Sequence, residues 1–107
     1  MTMSDIKWIN LSLASVESRK WQVSGISYAD ITELSRKLGQ ALKESNKNAE
    51  TVALNLTDME KDIFIATARD IIKGKHYPHD LESVTGYDLE TLTEHWRQTA
   101  QNIGKIL

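Results

Sequence analysis

The chain contains no cysteine among its 107 residues. Without thiols it cannot have a disulfide framework, a cysteine nucleophile or a thiolate ligand for a metal ion. This absence agrees with a protein of a reducing compartment.

Long apolar runs are also missing. No segment approaches the roughly 20 apolar residues of a membrane-spanning helix, and the start, MTMSDIKWINLSLAS, has no basic patch followed by an unbroken apolar core. We therefore expect a cytoplasmic protein that does not enter a membrane. With 40% hydrophobic and 26% charged residues, the chain fits one globular domain, 1–107.

No catalytic, cofactor or metal motif stands out from the sequence. His76 and His79 lie close to Asp80, and His95 follows later. A zinc site needs three or four converging ligands, so two histidines in one segment are weak evidence for a metal. No nucleophile elbow, phosphate loop or zinc-protease helix is present. We predict no catalytic residue, no cofactor and no metal, and hence a protein that is not an enzyme.

The most distinctive segment is a helix predicted at about 58–73. Thr57 and Glu60 have the spacing of a capping box, and Gly74 suits the left-handed conformation that ends a helix. Its apolar residues fall on two faces: Met59, Ile63 and Ala66 on one, and Phe64, Ile65, Ala68, Ile71 and Ile72 on the other. We therefore predict that the core packs around this helix. The alternative is that one face stays exposed for a partner.

Three short segments favour strands. Apolar residues alternate through 6–13, with one slip in phase, and short apolar runs follow at 20–23 and 52–56. The first two are predicted to form an antiparallel hairpin, although the connection lacks a tight-turn pair. For the third segment the alternative is a helix over 49–56 that merges with the next helix.

Two further helices complete the predicted architecture. Ser27 with Asp30 marks a helix start, and an apolar stripe runs from Ile31 to Leu42. Asp88 is a plausible N-cap for a carboxyl-terminal helix of about 89–106. The predicted fold class is α+β, with a small antiparallel or mixed sheet of two to three strands packed with three to four helices.

Residues 80–96, DLESVTGYDLETLTEHW, resemble a helix-turn-helix unit. A short helix would be followed by a turn at Gly86 and by a second helix. Two positions depart from the pattern, because Glu82 stands where a small residue is usual and Thr85 where an apolar one is. The outer face of the second helix presents carboxylates, which DNA phosphates would repel. Binding to nucleic acid is therefore predicted to be unlikely.

Charge is distributed unevenly along the chain. Residues 1–48 carry seven Lys and Arg against five Asp and Glu, whereas residues 49–107 carry six against ten. An acidic surface steers association with basic partners. We therefore expect a non-catalytic regulator or inhibitor that binds another protein, one with a basic surface, through an acidic helical surface. The predicted partner-binding residues are Asp80, Glu82, Asp88, Glu90 and Glu94.

Three other functions stay open from the sequence. The main alternative is a helix-turn-helix DNA-binding transcriptional regulator. A metal-containing enzyme that uses His76, His79 or His95 is a weaker alternative. Homodimerisation through a second helix face is compatible with each of them.

Overall fold

Within the residues that the computed structural model describes (1–18, 23, 25–45, 50–74 and 81–107), the chain forms five α-helices. They are α1 (Met3–Glu17), α2 (Tyr28–Glu44), α3 (Asp58–Ile72), α4 (Leu81–Thr85) and α5 (Leu89–Asn102). None of these is long and apolar enough to cross a membrane. Isolated bridges are the only β pairing in the described part. The predicted α+β class with its two- to three-stranded sheet is therefore wrong, and the described chain is all-helical.

Short polar side chains start the four longer helices. Thr2, Ser27, Thr57 and Asp88 each accept a hydrogen bond from the backbone N–H three residues later, at 2.8 to 3.2 Å. Each bond satisfies an N–H group that the first helical turn leaves without a partner. At α3 the capping box is complete, because Glu60 also accepts from the Thr57 N–H at 2.8 Å. The last three helix starts were predicted from the sequence, and the cap at Thr2 was not.

Residues 6–13, predicted as a strand, lie inside α1. The alternation of apolar residues slips in this segment because these residues follow a helical period, which continues to Val16. Fully buried apolar side chains recur every three or four residues at Ile6, Ile9, Leu13 and Val16. A run of eight residues fits both periods, so only the continuation to residue 16 distinguishes a helix from a strand.

The other predicted strands are absent from the described residues. Of 20–23, only Val23 is described, and it forms an isolated bridge with Ile26. Residues 52–56 are neither strand nor helix. Just before them, Thr51 forms an antiparallel bridge with Thr2, which ties this irregular segment to the start of α1.

The core is organised around α1 as much as around α3. α1 packs against each of the other four described helices, whereas the main contacts of α3 are with α1, α2 and α5. As predicted, α3 buries Ile63 and Phe64 on two faces. Met59, which the sequence placed on one of those faces, is instead 59% exposed, because it lies in the first turn of α3, at the edge of the core.

α5 ends earlier than predicted, at Asn102. Gly104 has φ of 80°, a left-handed conformation that glycine adopts without strain. The N–H of Lys105 then donates to the carbonyl of Ala100 at 2.8 Å, as in a Schellman motif. The ammonium of Lys105 reaches Asp62 on α3 at 3.0 Å, so the tail is held against that helix.

Candidate functional site

The predicted acidic surface lies where α4 and α5 meet at Gly86. This glycine has φ of 83°. Beneath the turn, the buried hydroxyl of Thr85 lies 2.8 Å from the carbonyl of Leu81 and accepts from the Tyr87 N–H at 3.2 Å. Two helices joined at a glycine corner were predicted. However, α4 has only five residues, and Val84, an apolar position of the helix-turn-helix pattern, is 37% exposed.

Four of the five predicted partner-binding residues lie at this corner with exposed side chains: Glu82, Asp88, Glu90 and Glu94. We call these four residues the acidic corner. The fifth, Asp80, lies outside the described residues. Glu90 and Glu94 are one helical turn apart on α5, so their carboxylates share a face, and Glu82 stands on the other side of the glycine turn.

Asp88 has a structural role as well as a charge. Its Oδ1 accepts from the Thr91 N–H at 2.8 Å and caps α5. Hydrogen bonding from Thr91, first from its side chain and then from its backbone, holds the pKa of Asp88 below its ordinary value. The carboxylate of Asp88 is therefore ionised at neutral pH, although some of its hydrogen-bonding capacity is used by the helix.

The outer face of α5 is not purely acidic. A shallow groove of about 570 Å³ runs along it, lined by Leu89, Glu90, Thr93, Glu94, Arg97, Gln98 and Gln101. From Asp88 to Glu94 this face carries no basic residue. Arg97 follows one turn later, so negative charge is concentrated in the first two turns of α5.

An aromatic cluster that the sequence did not reveal lies beside the corner. The ring of His95 stacks on Trp8 of α1, with centroids 3.9 Å apart and planes 5° apart. Tyr87 lies 4.8 Å from the same indole. Lys7 donates to the Tyr87 hydroxyl at 2.8 Å and lies 5.0 Å from the Trp8 ring, within the range of a cation–π contact. His95 is thus a packing residue between two helices.

The metal and catalytic predictions stay predictions. His76 and His79 lie outside the described residues. In the part of the chain that is described, no group of three or more His, Asp or Glu side chains is placed to hold a metal ion. Metal analysis of the purified protein is the direct test.

A second surface, which the sequence did not predict, is a groove of about 980 Å³ between α2 and the segment that leads into α3. We call it the α2–α3 groove, and its lining comes from residues 30–45 and 51–63. Leu34 and Ile63 are buried in its floor, and Val52 and Leu54 are half-buried. Its two sides meet only in the folded chain, as Lys37 and Glu60 do across 23 residues, so no local pattern could indicate it.

One ion pair crosses the α2–α3 groove. The ammonium of Lys37 on α2 binds both carboxylate oxygens of Glu60, at 2.8 and 3.0 Å, and donates to the Asn55 carbonyl at 3.3 Å. Burial acts to raise the pKa of Glu60, but hydrogen bonds from Lys37 and Thr57 outweigh it, so this pKa lies below its ordinary value. Glu60 therefore both caps α3 and holds α2 against it through Lys37.

Comparison with known proteins gives no relative from which a function could be transferred. No family model matches the chain, and neither the curated proteins nor the solved structures gave a match.

Proposed function

We propose that the protein is a small, non-catalytic cytosolic regulator or inhibitor that binds a basic region of another protein through the acidic corner. The observation that carries this proposal is the exposure of Glu90 and Glu94 on one face of α5, with Glu82 across the Gly86 turn. Charges of one sign on adjoining helices create a local field that attracts a partner of opposite sign.

The spacing of the two α5 carboxylates supports a binding role. Like charges at i and i+4 destabilise a helix by about 0.2–0.5 kcal/mol. A basic group placed between Glu90 and Glu94 removes this repulsion, so part of the binding energy comes from relieving it. Arg97 limits the attractive region to the first two turns of α5.

Val84, two residues after Glu82 on α4, is 37% exposed. An apolar side chain next to carboxylates suits a partner whose Lys or Arg residues alternate with apolar ones, because long basic side chains cover apolar surface with their methylene stems. We therefore expect a partner with a basic, partly apolar segment.

The proposal is tested with a pull-down from cell extract at low and at moderate salt. Proteins captured by the wild type at low salt should be lost with Glu94→Lys and retained with Glu50→Lys, a matched charge reversal at an exposed site away from the corner. Capture should also fall as salt rises. If no protein binds above background at either salt, or if Glu94→Lys captures as much as the wild type, the proposal is wrong.

DNA binding through α5 is tested separately in a gel-shift assay at low salt. We expect no retention of DNA, because Glu90 and Glu94 face the side that would meet the phosphates. Retention that is lost when Arg97 is replaced by Glu would favour the DNA-binding alternative over the acidic corner.

A further inference from the structure

The α2–α3 groove has the length of a short peptide. Its α2 side runs from Asp30 to Glu44, a stretch of about 21 Å at 1.5 Å per residue. The Lys37–Glu60 ion pair crosses the groove midway, so an extended peptide fits on the amino-terminal side of it, over about 10 Å or three residues. The volume of about 980 Å³ is near the upper end of the roughly 300–1,000 Å³ of ligand sites.

The two sides of the groove run in opposite directions. Lys37, midway along α2, reaches Asn55 and Glu60, while Ser45 at the end of α2 lines the groove together with Thr51. The chain from 51 to 63 therefore runs back along α2 toward its amino-terminal end. The N-cap and first turn of α3 contribute Thr57, Met59 and Glu60 to the lining.

One large apolar side chain of the lining is left exposed. Met59 is 59% exposed and lines the groove together with buried Leu34 and Ile63. Placed in the first turn of α3, its side chain adds little to the core. An unbranched thioether adapts its shape to an incoming apolar group, so this position suits contact with a partner.

The charges around the groove define which partner fits. Glu60 and Lys37 neutralise each other. The remaining charged groups of the lining are three carboxylates, Asp30, Glu33 and Glu44, and a single guanidinium, Arg36. Two of these carboxylates, Asp30 and Glu33, lie on the amino-terminal half of α2, toward which the chain from 51 to 63 runs, and exposed Met59 lines the same groove.

We propose that the α2–α3 groove binds a peptide segment of another protein that places an aliphatic or aromatic side chain against Met59. A neighbouring Lys or Arg of that segment pairs with Asp30 and Glu33. This surface is formed by α2, the segment that leads into α3 and the start of α3, whereas the acidic corner is formed by α4 and α5. A substitution that abolishes binding at one surface should therefore leave binding at the other unchanged.

The test uses a random peptide library displayed on phage, selected at low salt against the immobilised full chain. Selected peptides are synthesised, and their affinity is measured by fluorescence anisotropy. We expect enrichment of sequences with an apolar residue next to Lys or Arg. Met59→Ser and Glu33→Lys should each weaken binding by about tenfold or more, the range of a buried anchor or a close charge pair.

Both altered side chains are exposed, and serine is tolerated in the first turn of a helix, so the variants should retain the wild-type melting temperature. Glu94→Lys is the matched charge reversal at the other surface and should change affinity by no more than about twofold.

The proposal is overturned if no sequence is enriched, or if the selected peptides bind Met59→Ser and Glu33→Lys as tightly as the wild type. Peptides that lose binding only with Glu94→Lys would overturn it while supporting the acidic corner. A dimer in sedimentation that Met59→Ser dissociates would overturn it too, since the occupant would then be a second copy of this chain.

Discussion

His95 lies parallel to Trp8, with ring centroids 3.9 Å apart and 5° between the planes. The pair joins α5 to α1 directly beside Trp96, whose Nε1 donates to the Trp8 carbonyl at 2.8 Å. Two consecutive residues of α5 therefore hold the same residue of α1, one through ring stacking and one through a hydrogen bond. The corner carrying the acidic residues is fixed to the core by this attachment.

Removing the stacked ring should measurably weaken the fold. We expect His95→Ala to lower the free energy of unfolding by about 0.5–1.5 kcal/mol, the contribution of an aromatic pair. His95→Phe keeps a flat ring and should remain within about 0.5 kcal/mol of the wild type. Urea denaturation measures both. Equal losses in the two variants would show that stacking is not what the histidine contributes.

A buried carboxylate makes a second link between α1 and α5. Asp5 is 6% exposed and accepts from the Thr99 hydroxyl at 3.0 Å and from the Asn102 amide at 3.2 and 3.3 Å. Thr99→Val keeps the shape and removes a donor, so we expect a loss of about 1–3 kcal/mol in unfolding free energy. Thr93→Val, at a half-exposed site of α5, is the matched control and should cost under about 0.5 kcal/mol. Similar losses for both would contradict this account.

Glu60 should make stability depend on pH in a defined direction. Because its pKa is lowered in the folded protein, its stabilising contribution is full above the ordinary titration range of glutamate and is lost as pH falls through the folded-state pKa. Glu60→Gln should therefore be less stable than the wild type by about 0.5–1 kcal/mol at pH 7, and this difference should shrink toward zero in acid. Denaturant unfolding at neutral and acidic pH measures it. Glu33→Gln is the control, and a Glu60→Gln difference that grew in acid would contradict the expectation.

The core role of α3 is tested by truncating its side chains. Phe64 is fully buried and Ile63 is 3% exposed, so their replacement by Ala should cost about 2–5 kcal/mol each. Met59→Ala on the same helix should cost under about 0.5 kcal/mol, since the side chain is mostly in solvent. Chemical denaturation of the three variants compares them directly. A loss under about 1 kcal/mol for both Phe64 and Ile63 would place the centre of the core elsewhere.

Gly39 offers a stabilising change. It lies exposed inside α2, and a Cβ placed on it would meet no atom within 4 Å. Gly39→Ala should raise the free energy of unfolding by about 0.5–1 kcal/mol, because alanine loses less backbone entropy in a helix. Thermal melting provides the measurement, and a lower melting temperature would show that the glycine is needed for another reason.

Much of the helical structure could be predicted from local signals. Ser27, Thr57 and Asp88 are short polar residues placed before apolar stripes of helical period, and each caps a helix. These signals lie within a few residues of each other, so they do not depend on tertiary structure. The glycine corner at Gly86 was predictable for the same reason.

The errors have a physical cause. The segment 6–13 is short enough to fit two periods, and its β-branched and aromatic residues favour a strand when considered alone. The signal that identifies a helix lies outside this segment, in the continuation of the apolar stripe to Val16. The alternation of Val52, Leu54 and Leu56 predicts a strand, but so short a run fits an irregular segment equally well.

The candidate sites also differ in whether local sequence signals indicate them. The exposure of Glu90 and Glu94 follows from helical periodicity and was predictable. The stack of His95 on Trp8 and the α2–α3 groove require segments that meet only in the folded chain. The spacing of residues in the sequence does not indicate such tertiary contacts.

The links between α1 and α5 also set the order in which the protein can be completed. The Trp96 bond to Trp8 and the Thr99 bond to Asp5 join residues 88 and 94 positions apart. Closing so long a loop is slow, and a ribosome releases α1 well before α5. The side of α1 that α5 covers therefore remains exposed during most of synthesis. A chain stalled before α5 emerges would expose Trp8 to chaperones and proteases.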